Sequence, residues 1–206
     1  MKPFRIDTTV DAPLETIWRH LTEPALIRDW FGWDHDGLDS EIRYIFVDHA
    51  EPSPPDLIDI GGGQEIRLVP AGGATTVRVT LAGDPTEARW VGVYDAVEEG
   101  WRTFFQQLRF KLAREVSVRR TVFLTGSAAP ASLAGALRAG EVWHESRHQQ
   151  ITVDGEGHLV ALVSQAALAS DAPAEATLTV STFGLDDAAF ATVEDAWTTR
   201  WKALTA

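Results

Sequence analysis

The stretch that most constrains the fold is residues 92–114, GVYDAVEEGWRTFFQQLRFKLAR. Its large apolar residues recur at steps of three and four, which is the period of a helix with one broad apolar stripe. The stripe consists of Val93, Val97, Trp101, Phe104, Phe105, Leu108 and Leu112. A helix of this length would be about 30 Å long, and the aromatic rings on its stripe need a large apolar partner. We therefore predict a long helix that packs on strands formed earlier in the chain.

Gly100 lies in the middle of this predicted helix. Glycine in a helix interior costs roughly 1 kcal/mol relative to alanine. A glycine at this position therefore suggests that another backbone, or a bound molecule, approaches the helix closely here.

Strands and two short helices are predicted before the long helix. Residues 4–10 alternate apolar and polar side chains, as a half-buried strand does. A helix opens at residues 11–13, where proline follows a capping residue, and a second short helix ends near Gly32. Further strands are predicted at residues 41–49, 56–60, 64–70 and 74–82, with residues 51–55 as a loop.

Composition narrows the class of protein and its partners. The chain of 206 residues has no cysteine, which rules out disulfides and cysteine-based sites. It has no apolar run of about 18 residues and no apolar block near its N-terminus, so we expect a soluble, cytoplasmic protein without a membrane span. The net charge is −12 and both halves are acidic, which argues against nucleic acid and anionic membranes as partners.

Two segments carry a resemblance to a known superfamily. Residues 11–32, DAPLETIWRHLTEPALIRDWFG, resemble the start of the SRPBCC (START-like) superfamily, in particular its branch of activator of Hsp90 ATPase homologues (AHSA1-like). Residues 98–112, EEGWRTFFQQLRFKL, resemble the GWxxxLxxLxxxL helix of that branch. The matching residues are Ala12, Pro13, Ile17, Trp18, Leu21, Thr22, Pro24 and Trp30, and then Gly100, Trp101, Phe105, Leu108 and Leu112. The chain departs from the branch at Trp33, where proline is usual, and at Phe105, where leucine is usual.

The resemblance implies an α+β fold of the helix-grip type. In that fold a curved antiparallel sheet wraps around the long C-terminal helix and leaves a cavity between the two. The implication agrees with the amphipathic pattern of residues 92–114.

Residues 115–206 look like a shorter, degenerate copy of residues 1–114. Residues 129–137 are similar to the first predicted helix, and Trp197 and Trp201 mirror Trp101 and Phe105. Strands are predicted at residues 120–125, 146–153, 158–165 and 174–183, and a closing helix at residues 186–205. We favour two tandem helix-grip domains, 1–114 and 115–206, the second with fewer strands and a small cavity or none. The alternative is an extension that completes one enlarged domain.

Apolar residues near both matched segments form the predicted ligand-binding site. They are Trp30, Phe31, Trp33, Tyr44, Phe46, Trp101, Phe104, Phe105 and Leu108. Core packing accounts for part of this set, while a pocket lined by aromatic rings with few polar groups is the functional interpretation. Tyr44, Arg43 and Gln107 are the polar candidates for orienting a ligand.

Other motifs are weaker candidates for chemistry. His144 to His148 matches H-E-x-x-H, the zinc-protease pattern. Its flanks indicate strand rather than helix and no third ligand stands at a fitting spacing, so we favour a chance match. The acidic segment 34–36 is interpreted as a solvated loop, and Glu98 and Glu99 as surface residues. We expect no catalytic residue, no metal and no cofactor.

Three functions compete. The first is binding of a small apolar or aromatic molecule in a cavity between the long helix and the sheet. The second is a protein-interaction role, with a chaperone or another protein as partner, similar to the stress co-chaperone that gives the branch its name. The third is a helix-grip enzyme of the cyclase or hydrolase type, or a metalloenzyme that uses His144 and His148. We favour the first, and the oligomeric state stays open.

Overall fold

The computed structural model describes residues 2–205, and the chain divides into two compact units, Met1–Val116 and Ser117–Ala206. Each unit combines one five-stranded antiparallel sheet with helices. The strands of the first unit are β1 (Phe4–Val10), β2 (Glu51–Ser53), β3 (Leu57–Asp59), β4 (Gln64–Ala71) and β5 (Ala74–Leu81). Its helices are α1 (Leu14–Thr22), α2 (Pro24–Ile27), α3 (Leu38–Arg43), a π-helical turn (Tyr44–Asp48) and α4 (Ala96–Arg114).

The first sheet has the strand order β1-β5-β4-β3-β2 and one buried face. Side chains alternate between the two faces of a strand, and the register brings the buried rows together across the sheet. Ile6 pairs with Val79, which pairs with Ile66, and Ile66 pairs with Ile58. All four are at most 2% exposed. The alternating pattern predicted for residues 4–10 and 74–82 is therefore the pattern of a half-buried sheet.

Helix α4 packs its apolar side on this buried face. Trp101, Phe105 and Leu108 belong to the same core cluster as the inward residues of β1, β4 and β5. The helix begins at Ala96, later than the predicted Gly92, because Asp95 caps it by accepting hydrogen bonds from the backbone N–H groups of Val97 and Glu98, both at 3.0 Å. Val93 and Val97 are more than 40% exposed, so the buried part of the predicted stripe begins only at Trp101.

The strand predicted at residues 41–49 is wrong. This segment is helical, first as α3 and then as the π-helical turn. Ile42 and Phe46 are buried, whereas Tyr44 between them is 59% exposed. A spacing of four residues with an exposed residue between fits a helix, so the apparent alternation of Ile42, Tyr44 and Phe46 was misleading. The predicted loop 51–55 contains the short strand β2.

The second unit repeats this arrangement of strands. Its elements are β6 (Arg119–Ala128), α5 (Pro130–Leu137), β7 (Glu141–Glu145), β8 (Gln149–Val153), β9 (Leu159–Ser164), β10 (Ala174–Phe183) and α6 (Asp187–Leu204). Its sheet has the order β6-β10-β9-β8-β7. In both sheets the first strand pairs with the last and the others follow in reverse. The expectation of fewer strands in the second half is wrong, because the strand character noted beside His144 was not counted as the separate strand β7.

The core of the second unit lies between its sheet and its helices. Leu178 pairs with Leu162 and Val180 with Val160, which brings their buried side chains together. Trp197 and Trp201 of α6 join this core, and the Trp201 indole N–H donates to the carbonyl oxygen of Thr125 at 3.0 Å. The predicted closing helix therefore fills the same role for its sheet that α4 fills for the first.

One buried ion pair ties α4 to the segment after α2. Lys111 is 6% exposed, and its ammonium lies 2.6 Å from the Asp29 carboxylate and also donates to the carbonyl oxygen of Val116 at 3.3 Å. Removing one partner of a buried pair leaves a charge without compensation. We expect Asp29→Ala to lower the free energy of unfolding of the first unit by about 3 kcal/mol, measured by urea denaturation followed by tryptophan fluorescence.

The control is Arg19→Ala, which breaks the exposed i,i+4 pair between Arg19 and Glu23. Exposed pairs contribute little to stability, so this variant should leave the urea midpoint nearly unchanged. Equal losses in the two variants would contradict a structural role for the Lys111–Asp29 pair.

A second testable pair closes the turn between β8 and β9. The Asp154 carboxylate accepts from the backbone N–H of His158 at 2.9 Å and from its Nδ1 at 3.2 Å. The hydrogen bond that Nδ1 of His158 donates to Asp154 raises the pKa of His158 above 6.5. Burial opposes ionisation of Asp154, but the hydrogen bonds from His158 outweigh burial and lower the pKa of Asp154 below 3.8.

The pair should therefore stabilise the second unit at pH values between the lowered pKa of Asp154 and the raised pKa of His158. A raised histidine pKa gives stability that is complete below the unfolded value and is lost as the pH rises through the folded value. A lowered aspartate pKa gives stability that is lost as the pH falls towards the folded value. We expect Asp154→Asn to be less stable than the wild type near pH 6, and the difference to shrink by about pH 9, in thermal unfolding followed by circular dichroism. A difference that does not change with pH would contradict this ion pair.

Candidate functional site

A cavity of about 450 Å³ opens in the first unit beside the N-terminal half of α4. Its walls come from α4, from the α3 and π-helical segment, from the loop after α2 and from the turn between β3 and β4. It is lined by Phe31, Trp33, Glu41, Tyr44, Ile45, His49, Ile60, Gly61, Gly62, Gln64, Ala96, Val97, Gly100, Trp101 and Phe104. Tyr44 and Val97 are exposed, so the cavity reaches the surface on their side.

The structure divides the predicted binding residues into two groups. Phe31, Trp33, Tyr44, Trp101 and Phe104 line the cavity. Four others do not line it and lie in the hydrophobic core, at most 6% exposed: Trp30, Phe46, Phe105 and Leu108. Sequence reasoning could not separate the groups, because both come from the same helical stripe and the same aromatic segment.

The core group supports the lining group from behind. The Trp30 ring stacks on Phe105 with a centroid distance of 5.6 Å, and Phe105 stacks on Trp101 at 5.4 Å. Phe31 contacts Phe104 at 4.9 Å. Ring pairs at these separations stabilise one another beyond the area that they bury, so the aromatic wall of the cavity is held in place by a packed layer of rings.

Gln64 is a site residue that the sequence analysis missed. Its side-chain oxygen accepts a hydrogen bond from the indole N–H of Trp101 at 2.9 Å, which fixes the ring that forms the cavity wall. A signal was present, because Gln64 has the same strand phase as the buried Ile66 and Leu68. A polar side chain in an inward-facing row needs a partner.

Of the three polar candidates, only Tyr44 lines the cavity. Gln107 instead donates to the carbonyl oxygens of Trp30 at 3.0 Å and Gly32 at 3.3 Å, which anchors the loop that carries Phe31 and Trp33. Arg43 pairs with Asp48 at 3.4 Å. Gln107 therefore positions the site without facing it.

The mouth of the cavity carries a histidine of defined tautomer. The carbonyl oxygen of Tyr44 lies 2.9 Å from Nδ1 of His49, and a carbonyl oxygen only accepts. Nδ1 therefore carries a proton, and Nε2 of the neutral ring bears a lone pair. The Tyr44 and His49 rings lie 4.0 Å apart.

Glu41 supplies the carboxylate of the lining. Its Oε2 accepts from Nε2 of His35 at 3.1 Å, while Nδ1 of His35 accepts from the backbone N–H of Gly37 at 3.0 Å. His35 thus belongs to a local hydrogen-bond network beside the cavity, whereas Asp34 lies 3.6 Å from Arg28.

Gly100 faces the cavity, and no other backbone approaches it. A Cβ placed on Gly100 would meet the Phe104 ring at 3.7 and 3.8 Å and, outside the backbone of its own helix, no other described atom within 4 Å. Of the two explanations offered for this glycine, close backbone approach is therefore wrong. What remains is a helix surface left bare beside an open space.

Two further expectations about charged residues have clear outcomes. Glu99 is 5% exposed and lies 3.4 Å from Arg102, so its assignment to the surface is wrong. His144 lies on strand β7 and His148 in the bend before β8, so the H-E-x-x-H residues do not share a helix. Residues 2–205 contain no group of three or more His, Asp or Glu side chains placed to hold a metal ion.

The helices formed by residues 2–205 include none with both the length and the apolarity that a membrane crossing requires.

No protein-family model matches this sequence, and no curated protein matches it significantly. Three solved structures are similar in coarse fold. A structural-genomics protein from Rhodobacter sphaeroides is 19% identical with a TM-score of 0.39, covering 55% of this chain and 93% of its own. DynU16, from the dynemicin biosynthetic locus, is 17% identical with a TM-score of 0.38. The similarity covers 100% of this chain and 97% of DynU16. The di-domain ARO/CYC BexL, from the BE-7585A biosynthetic pathway, is 16% identical with a TM-score of 0.36. The similarity covers 100% of this chain and 96% of BexL. Similarities of this degree identify neither a family nor a function for this chain.

The open space beside Gly100 gives a direct prediction. Alanine should fit without displacing Phe104, because 3.7 Å is an ordinary contact distance. We expect Gly100→Ala to raise the free energy of unfolding by about 1 kcal/mol, the intrinsic helix preference of alanine over glycine, measured by urea denaturation. A loss of stability would contradict the open space at this position.

Proposed function

We propose that the first unit binds a small apolar or aromatic molecule in the cavity beside α4. The observation that carries the proposal is the unfavourable glycine at position 100, which leaves the helix surface bare where the cavity adjoins it. If the protein's own side chains were meant to fill this space, alanine or a larger residue at position 100 would give a more stable fold. A ligand that packs on the bare helix accounts for the glycine.

The dimensions and walls of the cavity support this proposal. Ligand sites in proteins typically enclose about 300–1,000 Å³ and are lined mainly by apolar and aromatic side chains. The cavity of about 450 Å³ meets both conditions, with Phe31, Trp101 and Phe104 among its walls. Its polar groups are few, and the side-chain oxygen of Gln64 already accepts from Trp101.

The walls are also preorganised for binding. Trp101 is fixed by its hydrogen bond and by stacking on Phe105, and the loop 30–32 is anchored to α4 through Gln107. A site whose walls are rigid before binding loses less conformational entropy when the ligand arrives. We therefore propose a binding function and assign no catalytic residue.

We further propose that residues 1–114 and 115–206 are tandem helix-grip domains of the SRPBCC type. The identical strand order of the two sheets supports a common architecture, as does the packing of α4 and α6 on the sheets of their own units. The assignment to the branch of activator of Hsp90 ATPase homologues remains a prediction from residues 11–32 and 98–112.

Binding of an uncharged dye tests the proposed function. Nile red should bind saturably with increased fluorescence. Gly100→Leu should weaken binding about tenfold or more, because its side chain would project into a site whose walls are already packed. Trp101→Ala should also weaken binding, because it removes one aromatic wall.

The matched control is Gly135→Leu in α5. Gly135 is also a helical glycine, and a Cβ there meets no described atom within 4 Å. This variant should bind Nile red like the wild type. If neither Nile red nor a panel of neutral aromatic compounds binds saturably, or if both leucine variants bind equally, the proposed site is wrong.

A further inference from the structure

The charge of the cavity lining is one-sided. Its fifteen described residues include five aromatic rings and one carboxylate, Glu41, but neither lysine nor arginine. The surrounding unit is acidic as well, with twelve basic and nineteen acidic residues over positions 1–114. The lining therefore offers an anionic ligand no lysine or arginine side chain.

We propose that the ligand of this cavity carries an organic cation, such as an alkylammonium group, on an apolar or aromatic body. This proposal rests on the binding function proposed above and names the chemical class that the site selects. The body would pack on the aromatic wall, and the cation would lie between these rings and the acceptors Glu41 and His49 at the mouth.

Aromatic rings attract cations as well as apolar groups. A cation within about 6 Å of a ring centroid is drawn to the negative face of the ring, and tryptophan is the strongest of these rings. Trp33 and Phe104 lie 6.1 Å apart on the wall, and Trp101 and Phe104 lie 6.3 Å apart. A cation lodged among these rings lies within reach of more than one of them.

Two polar groups at the mouth can accept hydrogen bonds from a ligand. Glu41 is a carboxylate, and Nε2 of His49, when the ring is neutral, bears a lone pair because Nδ1 donates to the Tyr44 carbonyl. The Trp101 indole N–H, which could serve as a donor, is committed to Gln64. A ligand with N–H donors or positive charge complements this arrangement.

The N-terminus of α4 is a feature of the lining that favours an anion, and the protein's own carboxylates occupy it. Helix N-termini attract negative charge, and Ala96 and Val97 line the cavity. The Asp95 side chain, however, already accepts from the N–H groups of Val97 and Glu98. The nearby Lys2 ammonium pairs with Glu98 at 2.5 Å. Neither positive feature is left for a ligand.

Three naphthalene derivatives that share one aromatic body and carry a cationic, a neutral or an anionic group test the proposal by calorimetry at low ionic strength. The probes are (1-naphthylmethyl)trimethylammonium, 1-naphthalenemethanol and 1-naphthylacetate. We expect the ammonium to bind about tenfold tighter than the carboxylate, with the alcohol between them. The preference should decrease as salt is added, because salt screens exposed charges.

The variant Glu41→Gln tests whether the Glu41 carboxylate causes the preference for the ammonium probe. The amide oxygen of glutamine can still accept from His35, so the local network is retained. This variant should lose about threefold in affinity for the ammonium and keep the affinity of the alcohol. Asp39→Asn is the control. Asp39 lies on the same helix α3 but does not line the cavity, and its substitution changes the net charge by the same amount.

The outcomes separate the two proposals. If the alcohol binds and Gly100→Leu blocks it, but the ammonium gains no advantage over the carboxylate, the cation proposal is overturned and the binding function stands. An equal loss of ammonium affinity in Asp39→Asn and Glu41→Gln would also overturn the cation proposal. If none of the three probes binds, both proposals fail.

Discussion

The architecture of the first unit depends on burial of the aromatic side of α4 against the inward rows of its sheet. Trp101, Phe105 and Leu108 bring apolar area that no single strand could cover, and the rows of β1, β4 and β5 present a continuous apolar surface to them. Burial of apolar area is the dominant favourable term in folding. The cavity begins where this packing ends, at the turn of the helix that carries Gly100.

Polar contacts from α4 then decide where the remaining segments lie. Gln107 and Lys111 hold the loop after α2 through two carbonyl oxygens and the carboxylate of Asp29. Gly32 within this loop has a φ of 67°, and a Cβ there would come within 2.7 Å of Leu38. Only glycine meets both conditions without strain. One side of α4 therefore builds the core, and its flank positions the aromatic wall of the site.

The elements with strong periodicity were predictable from the sequence. The alternation of residues 4–10 and 74–82 and the three-and-four spacing of residues 101–112 have one structural interpretation each, and the structure confirms them. Residues 41–49 were not predictable, because Ile42 and Phe46 satisfy both a strand and a helix pattern. The division of the aromatic residues into core and lining depends on long-range contacts, such as Trp30 with Phe105, that no local pattern encodes.

The pairing of the first strand with the last has a consequence for how the chain is made. Thr8 pairs with Val77, so β1 leaves the ribosome long before its neighbour exists. Its apolar row then stays uncovered until residues 74–81 have been synthesised, and α4 follows later still. Contacts between such distant positions slow folding, and exposed apolar strands invite association with other chains. The same delay recurs for β6, which must wait for β10, so the nascent polypeptide passes twice through a stage at which a chaperone would find an unpaired strand to hold.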